Sequence, residues 1–322
     1  MKKIVITETL SMLFLVLCAS LVFAADRGMT AKDDGSWKLK PTLSVGYAFG
    51  GATNLTFTGV HGASLLGANR IAWKIPNISG VYIAGELPVM LTDRLNLALG
   101  GRWVFPGSDK EVHEGYNYSP TIGRDWNSDE RDWVTVDLSL SYAFVKNASF
   151  LKDISAVVGF RWDYHNISFE NPHNPVGVAS SPTDTVDFKM NTYSPVFGLT
   201  STFKGFKSGI FGGDIKIGAF ASPVAWGDIE YKEPFGGAGT SISFDGNLDR
   251  CYFYNVVGEM TALSGKIAPK IEASLSIFAQ YTKFFAEDRV SGTTTPVATR
   301  RNFDFSMHPG LATVGAKVAI AF

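Results

Sequence analysis

From Val134 onward the chain places Val134, Val136, Leu138, Leu140, Tyr142 and Phe144 on one side of an extended backbone, and Thr135, Asp137, Ser139 and Ser141 on the other. The same two-residue period recurs from Leu95 (Leu95, Leu97, Leu99, Trp103 and Phe105 against Asn96, Ala98, Gly100 and Arg102) and from Ile271 (Ile271, Ala273, Leu275, Ile277, Ala279 and Tyr281 against Lys270, Glu272, Ser274, Ser276, Gln280 and Thr282). Side chains alternate across a strand, so each stretch predicts a strand with one apolar and one polar face. Ten such strands are expected, at about 39–49, 62–90, 94–105, 132–144, 154–170, 188–203, 209–231, 250–263, 268–286 and 302–322. The second contains Pro76 and Gly80, which a ladder tolerates only at a bulge or edge, so it can equally be two strands.

The connections alternate in length. Long segments at 50–61, 106–131, 171–187, 232–249 and 287–301 are interleaved with short turns at 91–93, 146–153, 204–208 and 264–267. Short turns on one side and long loops on the other, with an even strand number, are the rhythm of an up-and-down transmembrane β-barrel, in which the apolar faces meet lipid and the polar faces line the lumen. A water-soluble sandwich alternates too. Three features favour the membrane. Aromatic residues sit near strand ends (Trp103, Phe105, Tyr142, Phe144, Trp162, Tyr164), as in an interfacial girdle. The chain ends in a strand, Val314, Ala316, Val318, Ile320 and Phe322, a termination that resembles bacterial outer-membrane barrels. The third is the amino terminus. Lys2 and Lys3 precede an apolar run from Met12 to Phe23 and small residues around Ala24, the order of an export signal, and that run is short of the ~20 residues a spanning helix needs. The expected division is a signal peptide at 1–24 and a barrel at 25–322, in the bacterial outer membrane with both termini periplasmic.

Composition narrows the function. The 322-residue chain has 29 basic and 30 acidic residues; without Lys2, Lys3 and Glu8 these become 27 and 29, a net charge of −2. A near-neutral chain carries no basic footprint for nucleic acid. Only Cys251 remains after residue 24, which excludes an intramolecular disulfide in the exported chain. No His or Cys spacing typical of a metal site, Gly-rich phosphate loop or serine elbow stands out, so no cofactor is expected. The expected lumen carries Arg102, Asp137, Arg161, Asp163, Asp214, Lys216, Glu259, Lys270, Glu272 and Lys317. Mixed signs at this density predict a salt-bridged interior rather than a general porin, because unpaired buried charge is costly.

Several segments resemble the omptin family of ten-stranded outer-membrane endopeptidases. Asn69-Arg70-Ile71-Ala72-Trp73-Lys74 followed by Val81-Tyr82-Ile83-Ala84-Gly85 is similar to its second strand, Ala98-Leu99-Gly100-Gly101-Arg102-Trp103 to its third, and Tyr193-Ser194-Pro195-Val196-Phe197-Gly198-Leu199-Thr200 to its sixth. Arg124-Asp125-Trp126 falls where the family carries Asp-x-Asp-Trp, and Ala225-Trp226 where a Trp leads to the fourth external loop. The resemblance implies a peptidase with an Asp pair on one rim facing an Asp-His pair on the other, a water between them and His as base. Asp125 matches the second Asp, but Gly123 stands at the first. Asp228 and Glu230 have the spacing of the Asp-His pair, but no His lies between them and Asn247. Asp163 and His165 share the lumen face and offer a substitute carboxylate-imidazole pair, although a structural salt-bridge network is the plainer reading. His61, His113 and His173 fall in expected loops, as does the acidic stretch Asp125 to Asp132, which reads as solvated or as a lure for cationic peptides.

The expectation is therefore a monomeric outer-membrane barrel of omptin-like fold that has lost the protease site. Its partners are outer-membrane lipid, lipopolysaccharide included, and a peptide or protein ligand at the external loops. The alternatives are an endopeptidase using Asp125 with Asp228, Glu230, Asp163 and His165, and a narrow channel.

Overall fold

A computed structural model describes residues 38–50, 53–58, 70–75, 79–106, 111–116, 119–176, 181–235, 240–268, 271–295 and 299–321. The expected signal segment and His61 lie outside them. The described residues form one all-antiparallel sheet of seventeen strands: β1 (Lys38–Leu39), β2 (Thr42–Gly50), β3 (Thr53–Thr58), β4 (Arg70–Ile75), β5 (Ser79–Met90), β6 (Leu95–Pro106), β7 (Glu111–Tyr116), β8 (Ser119–Lys146), β9 (Leu151–Val176), β10 (Thr185–Phe203), β11 (Lys207–Ser208), β12 (Phe211–Gly212), β13 (Ile215–Phe235), β14 (Thr240–Ala268), β15 (Ile271–Thr295), β16 (Thr299–Met307) and β17 (Gly310–Ala321).

Seventeen segments replace the ten expected because several long strands are interrupted. The first becomes β1 and β2, the second β4 and β5, and the last β16 and β17, while β3 and β7 are strands formed within the expected loops 50–61 and 106–131. In the second, β4 ends at Ile75 and β5 begins at Ser79; the expected interruption at Pro76 lies outside the described residues. Residues 207–212 form a small hairpin turning at Gly209, whose φ of 60° suits glycine, so the seventh long strand starts at Ile215 rather than 209.

Pairing runs β2–β5–β6–β8–β9–β10–β13–β14–β15–β17 and returns to β2. A second circuit lies further from the chain termini. It runs β3–β4–β7, continues through the upper ends of β8, β9, β10, β13, β14 and β15, and closes through β16 onto β3. The wall thus has a lower and an upper half. β8 alone is 28 residues long, whereas about 9–11 residues cross a bilayer. Much of 106–131, 171–187, 232–249 and 287–301, expected as loops, is strand.

The reason is visible along β10. In its lower part Phe197 and Leu199 point outward, 52% and 56% exposed, while Thr192, Ser194 and Thr200 are buried inside. In its upper part Val186, Phe188 and Met190 are wholly buried inside, and Asp187, Lys189 and Asn191 face out. The two-residue period never breaks, but the polarity of its two faces is exchanged near Asn191. β9 switches at the same height: Ser155, Arg161 and Asp163 line the interior below, Ile167 and Phe169 above. Below the switch the outer face meets lipid and the inner face is polar. Above it the outer face is polar and the interior is where apolar surface leaves water. Tyr193, Trp162, Trp226 and Tyr252 mark the boundary on the outside.

Candidate functional site

The upper interior is filled. Phe57 packs against Phe244 and Tyr231 with ring centroids 4.5 and 4.6 Å apart, and Trp73 stacks on Phe169 at 4.8 Å. Into this aromatic mass the strands carry Arg124, Glu114 and Glu233, with Asp184 just before β10 beside them. Arg124 on β8 donates from Nε to Glu114 Oε2 on β7 at 2.8 Å and from Nη2 to Glu233 Oε1 on β13 at 2.6 Å, while Nη1 lies 3.6 Å from Asp184 Oδ2. Trp126 Nε1 donates to the same Glu114 oxygen at 2.8 Å, Tyr231 Oη donates to Glu233 Oε2 at 2.5 Å, and Trp73 Nε1 donates to Tyr231 Oη at 3.0 Å. The Arg124 guanidinium also lies 4.4 Å from the Trp126 ring centroid. Arg124, Glu114 and Glu233 are wholly buried. Three carboxylates around one guanidinium leave excess negative charge. Burial, reinforced by Glu114 and opposed by Arg124, pushes the Glu233 carboxyl well above its ordinary range; burial and Glu233 do the same to the Tyr231 phenol.

Just beneath lies the pair expected as a substitute base. Asp163 accepts from Arg161 Nε at 2.6 Å and Nη2 at 2.5 Å, from Trp133 Nε1 at 3.0 Å and from Thr135 Oγ1 at 2.7 Å. Its oxygens thus have four donors, and the Arg161 guanidinium packs over the Phe253 ring at 4.4 Å. His165 is buried against Trp133, ring centroids 4.4 Å apart, and its Nε2 makes no hydrogen bond. Both residues face the interior, Asp163 in a structural ion-pair network with Arg161 and His165 packed beside it. Further down, a cavity of about 240 Å³ is lined by Arg102, Asp137, Lys216, Glu259 and Lys317 among others. Arg102 meets Asp137 at 3.3 Å, and Lys317 meets Glu259 at 3.1 Å and Glu86 at 3.5 Å, so Arg102, Asp137, Glu259 and Lys317 of the expected lumen charges are paired. Asp214 instead pairs with Lys152 at the lower rim, 2.6 Å away, beside the small hairpin.

The carboxylates that the omptin resemblance singles out are on the other side of the wall. Asp125 sits between the inward Arg124 and Trp126 and therefore points outward, where it accepts from His113 Nδ1 at 2.8 Å and from Asn174 Nδ2 at 3.2 Å. Burial works against its charge, but these hydrogen bonds outweigh it and hold the Asp125 carboxyl below the usual range. Asp228 and Glu230 flank the buried Ile229 and also face outward; Asp228 accepts from Asn191 Nδ2 at 2.9 Å, and Glu230 lies 3.5 Å from Lys189 Nζ. Through Asn191 and Tyr164 the register aligns Asp228 with Val134 of β8, nine positions from Asp125 towards the lower half. The fold therefore does not bring Asp125, Asp228, Glu230 and His165 around one cleft. Asp125 and Asp228 stand on the outer wall at different heights, and His165 is inside.

His113 and His173, expected in solvated loops, are on β7 and β9, because the ladder continues above the lipid belt. Arg124, Glu114 and Glu233 escaped the sequence reading, although parity held a signal: Arg124 alternates in step with Trp126, and Glu233 with Tyr231 and Ile229.

No protein family and no curated protein matches the chain by sequence. Among solved structures it is similar to the outer membrane protease OmpT from Escherichia coli, with a TM-score of 0.63 and 12% identity over 88% of this chain and 96% of that one. It also overlays the translocator domain of the autotransporter NalP from Neisseria meningitidis (TM-score 0.27, 9% identity, 95% and 96% covered) and a FadL homologue from Pseudomonas aeruginosa (TM-score 0.26, 9% identity, 87% and 90% covered), too distantly to bear on the argument. At such identity the likeness to OmpT is one of fold. The chain has the fold of an OmpT-type outer-membrane β-barrel.

Proposed function

We propose that the chain is a bacterial outer-membrane barrel without a peptidase centre, sealed rather than conducting. In this reading its upper half stands outside the cell as a binding surface for a peptide or protein, and its termini face the periplasm. The observation that carries this reading is the filled upper interior. The space where paired carboxylates of an omptin-type site would face one another holds Trp73, Phe57, Tyr231 and Phe244, stitched by Arg124 to Glu114 and Glu233. A hydrolytic water needs a polar site open to substrate, and a conduit needs a continuous wet path; packed aromatic rings supply neither. Lipid surrounds the lower belt, and lipopolysaccharide is its natural neighbour at the aromatic boundary.

Two measurements on one refolded sample test this. Incubation with a dibasic fluorogenic peptide in the presence of lipopolysaccharide is expected to give no cleavage, and planar-bilayer recording no conductance steps. Cleavage abolished by Asp125→Asn would establish the endopeptidase instead, and reproducible steps would establish the channel.

A further inference from the structure

The outer face of the upper wall carries a group of side chains that the barrel reading leaves unused. Three neighbouring strands put His113 (β7), Asp125 (β8) and His173 (β9) in one cross-strand row: His113 pairs with Asp125, and Asp125 with His173. Glu111, two residues before His113 and so on the same face, reaches into the row from below, from its place opposite Asn127. One carboxylate oxygen of Glu111, one of Asp125 and a ring nitrogen of His173 all lie within 4.8 Å of one another, and His113 Nδ1 is 2.8 Å from Asp125 Oδ1. All four side chains are solvent-accessible.

The orientation of His173 adds an independent point. Its Nδ1–H donates to the backbone carbonyl of Asn171 at 3.1 Å, which turns Nε2 into the group, 3.0 Å from Glu111 Oε1. A metal-binding imidazole is commonly held in this way, one nitrogen fixed by a backbone carbonyl and the other presented to the ion. Asn171 and Asn174 adopt left-handed φ values of 51° and 50°, a conformation that asparagine tolerates better than most residues. Both flank His173 at the end of β9, and the β8–β9 register is irregular on both sides of Asp125.

We propose that Glu111, Asp125 and His173, with His113 at the fourth position, form a surface site for a first-row transition dication of the Zn²⁺ class. Imidazole with carboxylate donors suits zinc, copper or nickel, whereas calcium takes six to eight oxygens and magnesium keeps its water. Ligand atoms around a four-coordinate zinc stand about 2.0–2.2 Å from the ion, which small side-chain rotations within this group can provide. On binding, Nε2 of His173 gives up its proton to solvent and its lone pair goes to the metal; Glu111 exchanges that hydrogen bond for coordination. The strands lie up to 62 residues apart in sequence, which is why no ligand spacing announces the site.

The site is tested on the full-length protein refolded in detergent without a polyhistidine tag, stripped with chelator and titrated with Zn²⁺ by calorimetry. One ion per chain is expected, with His173→Ala and Asp125→Asn each weakening binding by at least about tenfold, and Glu230→Gln on another part of the outer wall leaving it unchanged. Co²⁺ supplies a second readout that does not depend on stability: the wild-type complex is expected to show the visible absorption of a four-coordinate ion, and His173→Gln to lose it. No saturable binding, or equal binding by wild type and His173→Ala, would overturn the proposal. Peptide cleavage and conductance do not enter, so this site stands or falls separately from the sealed-barrel reading.

Discussion

Arg124 and Glu233 meet at 2.6 Å inside the upper half, although β8 and β13 are separated in the wall by β9 and β10. The pair spans the interior rather than running along the sheet, and both members are wholly buried. A closed wall with apolar rings inside could collapse in many ways; a guanidinium whose donors are matched by Glu114 and Glu233 selects one arrangement.

Removing the cation is expected to be severe. Arg124→Met leaves Glu114, Asp184 and Glu233 close together without their shared counter-charge, and breaking a buried ion pair from one side costs about 3–5 kcal/mol. Urea unfolding of the refolded protein in detergent, followed by the gel shift of the folded barrel, measures this. Adding Glu233→Gln to Arg124→Met is expected to recover part of the loss.

The same group makes stability depend on pH. Glu233, facing Glu114, Arg124, Asp184 and Tyr231, has its carboxyl raised well above 4.5, so the folded state keeps a proton that the unfolded chain has released. Its contribution is complete below the ordinary glutamate value and falls as pH rises towards the raised one, at up to about 1.4 kcal/mol per pH unit. The unfolding midpoint is expected to drop as pH rises above the ordinary glutamate value, and Glu233→Gln to flatten that slope. A wild-type midpoint that rises across this range would contradict the assignment.

Gly123 occupies the place of the first family Asp, and no side chain fits there. A Cβ at Gly123 would lie 1.9 Å from the Glu114 carbonyl oxygen, a backbone atom in the paired strand. Gly123→Asp, which completes the family spelling, is expected to lower the unfolding midpoint and to create no peptidase activity towards a dibasic fluorogenic peptide.

Phe57 touches Tyr231, Phe244 and Phe305 with ring centroids 4.5 to 5.5 Å away. Phe57→Ala opens a cavity among rings that cannot close over it, at a cost of about 3–5 kcal/mol. Phe197→Ala, on the lipid-facing side of β10, is expected to cost far less, because lipid tails fill the space that the ring vacates. Parallel denaturation of the two variants compares them.

Sequence alternation by itself determined the strand-rich wall, its antiparallel order, the paired charges of the lower interior and the outward aromatic boundary. Each follows from a period of two read along a single strand, a local property. The same reading stopped β10 at Phe188 and β8 at Asp132, because it tied the apolar face to lipid; once the strands pass the boundary, apolar residues turn inward and polar ones outward without any break in period. Only the tertiary structure decided that Arg124 reaches Glu233, that Asp125 and Asp228 look out from the wall rather than at each other, and that Glu111, Asp125 and His173 converge. Those outcomes depend on the register between strands distant in sequence and on bulges that shift it. Residue spacing along the chain does not encode such relationships.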